Sequence, residues 1–327
     1  MLLDDLTETL PTESAVDSLT GILVSLKLTG GISADADVRG DWCFECRLTD
    51  QDCALLPAGS EILGFHYVRS GRFFVNLEGE PPTEVTEGSI ILVPRNDKHI
   101  MYSRAGIPPV DSHSAIEPSG EGGIGRIRNH GVGERARFYC GFLGIASEHR
   151  PLLESLPRLI KLDGNDPLRN VWMDNSIKLL NKSQDSPQIA ARLAELFFVE
   201  AIHRYLERLP KAAAGLIAGV QDPIVGRALE IIHRRYAEDL DVEFLAREAG
   251  VSRAVLGERF VELLGTPPMR YCAQWRMRVA ASLLRDGRRN TASVAHGVGF
   301  GSEAAFSRAF KREFGVPPAT WRKQLAH

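Results

Sequence analysis

Two short stretches of one design, about 50 residues apart, constrain the C-terminal third of this chain more than anything else in it. The first begins at Val242. There Leu245, Ala246 and Ala249 recur at helical spacing, and Gly250 then permits a tight turn. Ser252 suits the cap of a following helix. The residue three positions on is Val255, so no reciprocal capping box forms. Leu256, Phe260 and Leu263 give that helix one apolar face. The second stretch repeats the plan, with Val294 and Ala295, then Gly297 and Gly299 in the turn, Ser302 as cap, and Phe306 and Phe310 as the apolar face. Between them, Met269, Cys272, Trp275, Val279 and Leu283 recur at helical intervals over 268–285. The spacing predicts helix, tight turn, helix, written twice and held side by side by one helix. A single hairpin of this kind can simply pack on a neighbour. Such a pair can also place its second helix in a DNA major groove.

Over 223–321 the chain resembles the DNA-binding domain of AraC/XylS-type bacterial transcription regulators. Ala295, Gly299, Phe300, Ser302, Phe306, Arg308, Phe310, Lys311, Phe314, Gly315, Pro318 and Trp321 stand in that family's order and spacing, and GVSRAVLGERF at 250–260 also fits. The resemblance implies two helix-turn-helix units joined by a long helix.

The charge is split in a way that suits this reading. Residues 222–327 hold 17 Lys and Arg against 12 Asp and Glu, and the rest of the chain holds 22 against 30. A basic domain beside an acidic one suits DNA binding at one end only. With 327 residues there is room for two domains, and 44% hydrophobic with 25% charged residues is ordinary for a globular protein. No apolar run is long enough to span a membrane, and the acidic start MLLDDLTETL has no export pattern. Five scattered cysteines suggest a reducing cytoplasm. Cys43 and Cys46 have the spacing of half a zinc site, but no second such pair follows, and Cys53 lies seven residues on.

The pattern in the first half is different. Residues 15–28 predict a short helix, and 41–48 an extended segment. Over 60–145 short strand-like runs alternate with turns: EILGFHYVR, GRFFVNLEG, GSIILVPR, KHIMYS and RARFYCGFLGI. Several such runs predict a small sandwich or barrel. The glycine-rich stretch 106–133 lacks a phosphate-loop pattern and predicts a mobile surface loop. Gly88, Pro94 and His99 resemble the second motif of cupins, with Asn96 where glycine is usual; either residue tolerates the left-handed turn. His66 fits the first histidine of the first cupin motif, while Val68 replaces its second and the acidic ligand is missing. His66, His99 and Cys140 are candidates for an effector pocket. The same three are candidate soft ligands for zinc or another divalent metal. The order of the parts resembles AraC-type regulators with a cupin-type sensor, a subgroup whose Cys-Gly and Leu-Pro elements match Cys140-Gly141 and Leu156-Pro157.

The predicted architecture is multidomain. An N-terminal all-β cupin-like barrel with flanking helices would occupy 1–145. A helical connector at 146–209, carrying helices over 167–181 and 187–209, would either cover the barrel or form a homodimer interface. A Gly- and Ala-rich linker at 210–222 would lead to an all-α domain with two helix-turn-helix units at 223–327. On the first unit the outward residues are Arg253, Ala254, Gly257 and Glu258. Ala254 suits a thymine methyl, Glu258 suits cytosine N4, and relatives often carry Arg or Gln at the Glu258 position. On the second they are Glu303, Ala304, Ser307 and Arg308, with Arg308 set for guanine or else for phosphate or an internal carboxylate. Arg276, Arg278, Lys311, Arg312 and Arg322 are candidate backbone contacts. The expected function is an effector-controlled, DNA-binding transcription regulator that is cytoplasmic and not an enzyme, with no required cofactor. The alternatives are a metal-dependent cupin enzyme or metal sensor joined to a DNA-binding domain, and a constitutive dimeric DNA-binding protein whose barrel holds no ligand.

Overall fold

The computed structural model describes residues 28–49, 52, 56, 59–117, 124–164, 215–285, 287 and 289–324, with isolated positions between 170 and 205. The helix expected over 15–28, apart from Leu28, and the residue Cys53 lie outside them. The chain divides into two compact units, within residues 27–208 and 209–327.

Among the described residues the N-terminal unit has twelve strands: β1 (Thr29–Arg39), β2 (Cys43–Cys46), β3 (Glu61–Ser70), β4 (Arg72–Leu77), β5 (Thr83–Thr86), β6 (Ile90–Val93), β7 (His99–Tyr102), β8 (Val110–Asp111), β9 (Ile116–Glu117), β10 (Gly125–Arg128), β11 (Arg135–Ile145) and β12 (Ile160–Leu162). They form a seven-stranded sheet in the order β12-β6-β3-β11-β1-β10-β9 and a five-stranded sheet in the order β5-β4-β7-β2-β8. The predicted closed barrel is therefore not what forms. Closure needs hydrogen bonds from the last strand of one sheet to the first of the next. Here each sheet ends on free edges, and among the described residues no strand pairing joins the two. The edge strands β8, β9 and β12 are only two or three residues long, which leaves little backbone to continue a ladder. Two short helices accompany the sheets, α1 (Ser112–Ala115) between β8 and β9 and α2 (Arg150–Ser155) in the stretch where a helical connector is predicted.

The two open sheets face one another across a shared core. Ala36, Val38, Val68, Ile91 and Phe138 come from the larger sheet, and Phe73, Val75 and Met101 from the smaller. The pairing is mixed: β1 runs parallel to β10 and β2 parallel to β8, and the remaining pairs are antiparallel. The stretch 106–133, predicted as a surface loop, instead supplies β8, α1, β9 and β10. Asn96 has φ 52° and is the one non-glycine residue with positive φ among those described. Its amide holds the Leu48 backbone from both sides, accepting from Leu48 N at 3.0 Å and donating to Leu48 O at 2.8 Å.

The C-terminal unit is all helix: α3 (Leu216–Gln221), α4 (Pro223–Arg235), α5 (Val242–Glu248), α6 (Arg253–Leu264), α7 (Pro268–Arg285), α8 (Thr291–Gly297), α9 (Glu303–Phe314) and α10 (Pro318–Gln324). The caps fall where the sequence puts them. The Ser252 hydroxyl accepts from Val255 N at 3.3 Å, and that of Ser302 from Ala305 N at 3.2 Å. Asp241 and Asn290 cap the first helix of each pair in the same way. Leu256 and Phe260 of α6, and Phe306 and Phe310 of α9, are fully buried. Helix α7 touches helices of both pairs, so it is the joining helix that the spacing predicts. Where a linker is predicted over 210–222, Leu216–Gln221 form α3, with Ile217, Ala218, Gly219 and Val220 buried.

Candidate nucleic-acid interface and sensor pocket

In each helix-turn-helix pair the buried stripe fixes which residues remain outside. On α6 these are Arg253, Ala254, Val255, Glu258, Val261 and Glu262, and on α9 they are Glu303, Ala304, Arg308, Lys311, Arg312 and Glu313. The half-buried Gly257 and Ser307 sit at matching places. The predicted outward residues of both units are thus brought to one exposed face of their own helix.

The cations behave differently from one another. Arg253 donates to Glu243 at 2.5 Å, and Arg259 binds Asp222 at 2.9 Å and Glu262 at 2.7 Å. Arg276 is half-buried and donates to the carbonyls of Tyr236 and Glu238 at 2.5 and 2.6 Å. It therefore ties α7 to the loop after α4. Arg322 donates to the carbonyl of Arg289 at 2.5 Å, and Arg278 is half-buried beside the buried Tyr271. Arg308, Lys311 and Arg312 are exposed and have no hydrogen bond or ion pair among the described residues. Of the basic residues expected at the phosphates or bases, α9 carries the uncommitted ones. Sequence reasoning missed Val255 and Val261, which are 44% and 46% exposed where an apolar residue would ordinarily be assigned to the core.

In the N-terminal unit His66, His99 and Cys140 do come together. Cys140 on β11 stands directly across from His66 on β3, and His99 arrives on β7 of the other sheet, across from Cys46 on β2. His66 Nδ1 is 3.2 Å from Cys140 Sγ, His66 Nε2 is 2.8 Å from His99 Nε2, and His99 Nδ1 is 2.9 Å from the carbonyl of Asp97. These contacts fix the protons. A carbonyl can only accept, so His99 Nδ1 donates to it, and a neutral His99 then accepts at Nε2. His66 must donate from Nε2, which leaves its Nδ1 to accept from the Cys140 thiol. Burial holds both imidazoles below the ordinary histidine range, His66 far below it with His99 adding to the effect. Burial also pushes the Cys140 thiol well up, and that of Cys46 to about 12. The result is a neutral, directional chain from thiol to carbonyl.

These residues line a small pocket with a cavity volume of about 50 Å³ that opens to solvent. Phe44, Leu48, Met101 and Ile127 give it apolar walls, and Arg47, Asp52 and His113 stand among its polar lining. Among the described residues no three His, Cys, Asp or Glu side chains converge as an ion's ligand set. An imidazole binds a metal through one nitrogen, and His66 turns its two nitrogens to different partners. An ion held between the two Nε2 atoms would have Cys140 on the far side of the ring, so the three cannot share one ion unless His66 rotates. Cys43 and Cys46 sit three residues apart on β2 and so project to opposite faces of the sheet.

Comparison with known proteins connects the two units. Residues 17–207 match the family model described as "Cupin", and 245–324 match that described as "Helix-turn-helix domain". An AraC-like transcription regulator of Streptomyces lividans is 32% identical over 314 residues, covering 94% of this chain and 98% of its own length. The chain belongs to the AraC-like family of transcription regulators. A second AraC-like relative, from Streptomyces antibioticus, is 31% identical, covering 94% of this chain and 99% of its own. Among solved structures, an AraC-type regulator from Chromobacterium violaceum is 28% identical over 32% of this chain and 94% of that one, with a TM-score of 0.31. As an AraC-like regulator the chain is a DNA-binding protein, with a cupin-family domain preceding its helix-turn-helix domain. No helix among the described residues is long and apolar enough to cross a membrane.

Proposed function

We propose that this AraC-like regulator binds specific double-stranded DNA as a homodimer in the cytoplasm, and that a small-molecule effector in the N-terminal pocket controls that binding. The observation that carries the reading is the open, mainly apolar pocket lined by residues of both sheets, with the His66–His99 contact spanning them. A ligand there touches both sheets at once. It shifts the regulator only if it prefers one arrangement over another. Of the pocket's titratable groups, His66, His99 and Cys140 are neutral and bonded to one another, which favours binding over catalysis and a chain that is not an enzyme. The same chain of contacts needs no cofactor. The dimer reading rests on the connector: of its described residues, Val171, Trp172 and Leu196 are exposed apolar side chains on helical positions, while Phe198, Ala201 and Ile202 are buried.

Native mass spectrometry of the full-length protein, purified without chelator, tests this, with metal analysis of the same sample. A dimer holding one small organic mass per chain, whose removal changes DNA affinity, is the expected result. A monomer that binds DNA equally with and without the retained mass overturns it. Stoichiometric zinc that is lost in His66→Ala would replace the effector with a metal.

A further inference from the structure

The two reading helices are copies with one offset. Ser252 corresponds to Ser302, Phe260 to Phe310, and the left-handed caps Gly265 (φ 69°) and Gly315 (φ 78°) fall 50 positions apart. This register pairs the exposed residues one to one. The stripe Ala254, Glu258, Val261 on α6 corresponds to Ala304, Arg308, Lys311 on α9, at i, i+4, i+7 in each. The flanking Glu262 corresponds to Arg312. The equivalent faces thus carry opposite charge. Glu262 is paired with Arg259 of its own helix at 2.7 Å and Arg253 is committed to Glu243, so the uncompensated charge on α6 is that of Glu258. Glu258 is exposed and without a partner among the described residues.

We infer that the two helices divide the work: α9 anchors the protein on DNA and reads guanine, whereas α6 adds discrimination without anchoring, selecting cytosine through Glu258 and thymine through Ala254 and Val255. The proposal rests on the DNA-binding reading and deepens it. A carboxylate in the major groove gains only where a base offers it a donor, and cytosine N4 is the amino group suited to it. A free carboxylate has no attraction for phosphate, so Glu258 contributes nothing to counterion release. Ala254 and the exposed Val255 present methyl groups, which complement the thymine methyl. On α9 the free guanidinium of Arg308 matches the two acceptors of guanine, and Lys311 and Arg312 match the phosphates. A protein partner docked on α6 would use the same apolar and acidic face, and the test separates the two.

The full-length protein is selected on a randomised DNA duplex, and the bound fraction is sequenced for the wild type, Glu258→Gln, Glu258→Arg and Arg308→Gln. The wild type is expected to enrich a site with cytosine in one part and guanine in another. Glu258→Gln should relax the cytosine preference by about tenfold and leave the guanine intact. Glu258→Arg should replace the cytosine by guanine and steepen the salt dependence by about one unit of slope. Arg308→Gln should lose the original guanine and keep the cytosine. The same base preferences in the wild type and both Glu258 variants would overturn the proposal and leave α6 to a protein partner. So would a Glu258→Arg variant that binds every sequence more tightly by one factor. A wild type that enriches no sequence overturns the DNA-binding reading itself, and this proposal with it.

Discussion

His66 on the seven-stranded sheet and His99 on the five-stranded sheet meet Nε2 to Nε2 at 2.8 Å, and one proton lies between them. Both imidazoles are held below the ordinary histidine range by burial, so the folded unit refuses a proton that the unfolded chain accepts. The stabilising effect is fully present above the unfolded value of about 6.5 and is lost as pH falls from there toward the lowered folded values. The slope is at most about 1.4 kcal/mol per pH unit for each histidine. The free energy of unfolding from urea titration should therefore fall between pH 7.5 and 5.5, and His99→Gln should flatten that dependence. An unchanged profile in the variant would show that the pair does not titrate on unfolding.

The arginines of the C-terminal unit should separate into two classes. Arg276 bonds two carbonyls within its own unit, while Arg308 and Lys311 have no such partner among the described residues. Arg276→Ala should lower unfolding stability by about 1–3 kcal/mol and leave the salt slope of DNA binding unaltered. Lys311→Ala should leave stability within about 0.5 kcal/mol and reduce the salt slope by about one. Urea unfolding and DNA titrations at several salt concentrations measure both. A reversal of the two patterns would reassign Arg276 to the phosphates.

Much of this division was legible from residue types. Serine caps, turn glycines and phenylalanines at helical spacing are local signals, and α5 to α9 follow from them. What a guanidinium bonds is not local: Arg253 and Arg276 read as DNA contacts until Glu243 and the carbonyl of Tyr236 are placed beside them. In the N-terminal unit β1 escaped notice because its inward residues are the small Ala34 and Ala36 and its outward ones are Asp35 and Asp37, residues of low strand propensity. Those aspartates are held by Arg128 at 3.0 Å and Arg135 at 2.5 Å, partners about 90 residues away that no short window contains. Closure of the sheets depends on long-range pairing at their edges, which is why strands were readable and a barrel was wrongly expected. His66 and His99 were legible because motif spacing marks strand positions that face inward, and Cys140 because it lies on a later strand of the same sheet as His66.

The turn glycines make a contrast that sequence alone does not draw. Gly250 (φ 70°) and Gly299 (φ 81°) are both left-handed. A side chain at Gly250 would meet nothing within 4 Å, whereas a Cβ at Gly299 would lie 2.5 Å from the carbonyl oxygen of Ala237. Gly250→Ala should cost about 1–2 kcal/mol, the conformational penalty alone. Gly299→Ala adds a clash with backbone and should cost more, loosening α8 against α9. Equal losses in thermal or urea unfolding would show that the Ala237 segment yields.

The single carboxylate of Asp222 serves two helices. Its Oδ1 accepts from Ile224 N at 3.0 Å and Val225 N at 2.9 Å, capping α4, while Oδ2 takes Arg259 of α6 at 2.9 Å. The two contributions can be separated. Asp222→Asn keeps a capping oxygen and removes the charge, and because the Arg259 side chain is partly exposed the loss should be about 0.2–1 kcal/mol. Asp222→Ala removes both and should cost about 1 kcal/mol more, the usual worth of a cap. If the two variants unfold at the same urea concentration, the cap is idle and the ion pair alone holds α4 to α6. If Asp222→Asn is silent and Asp222→Ala is not, the reading helix is held by packing, and Arg259 is free to turn toward DNA.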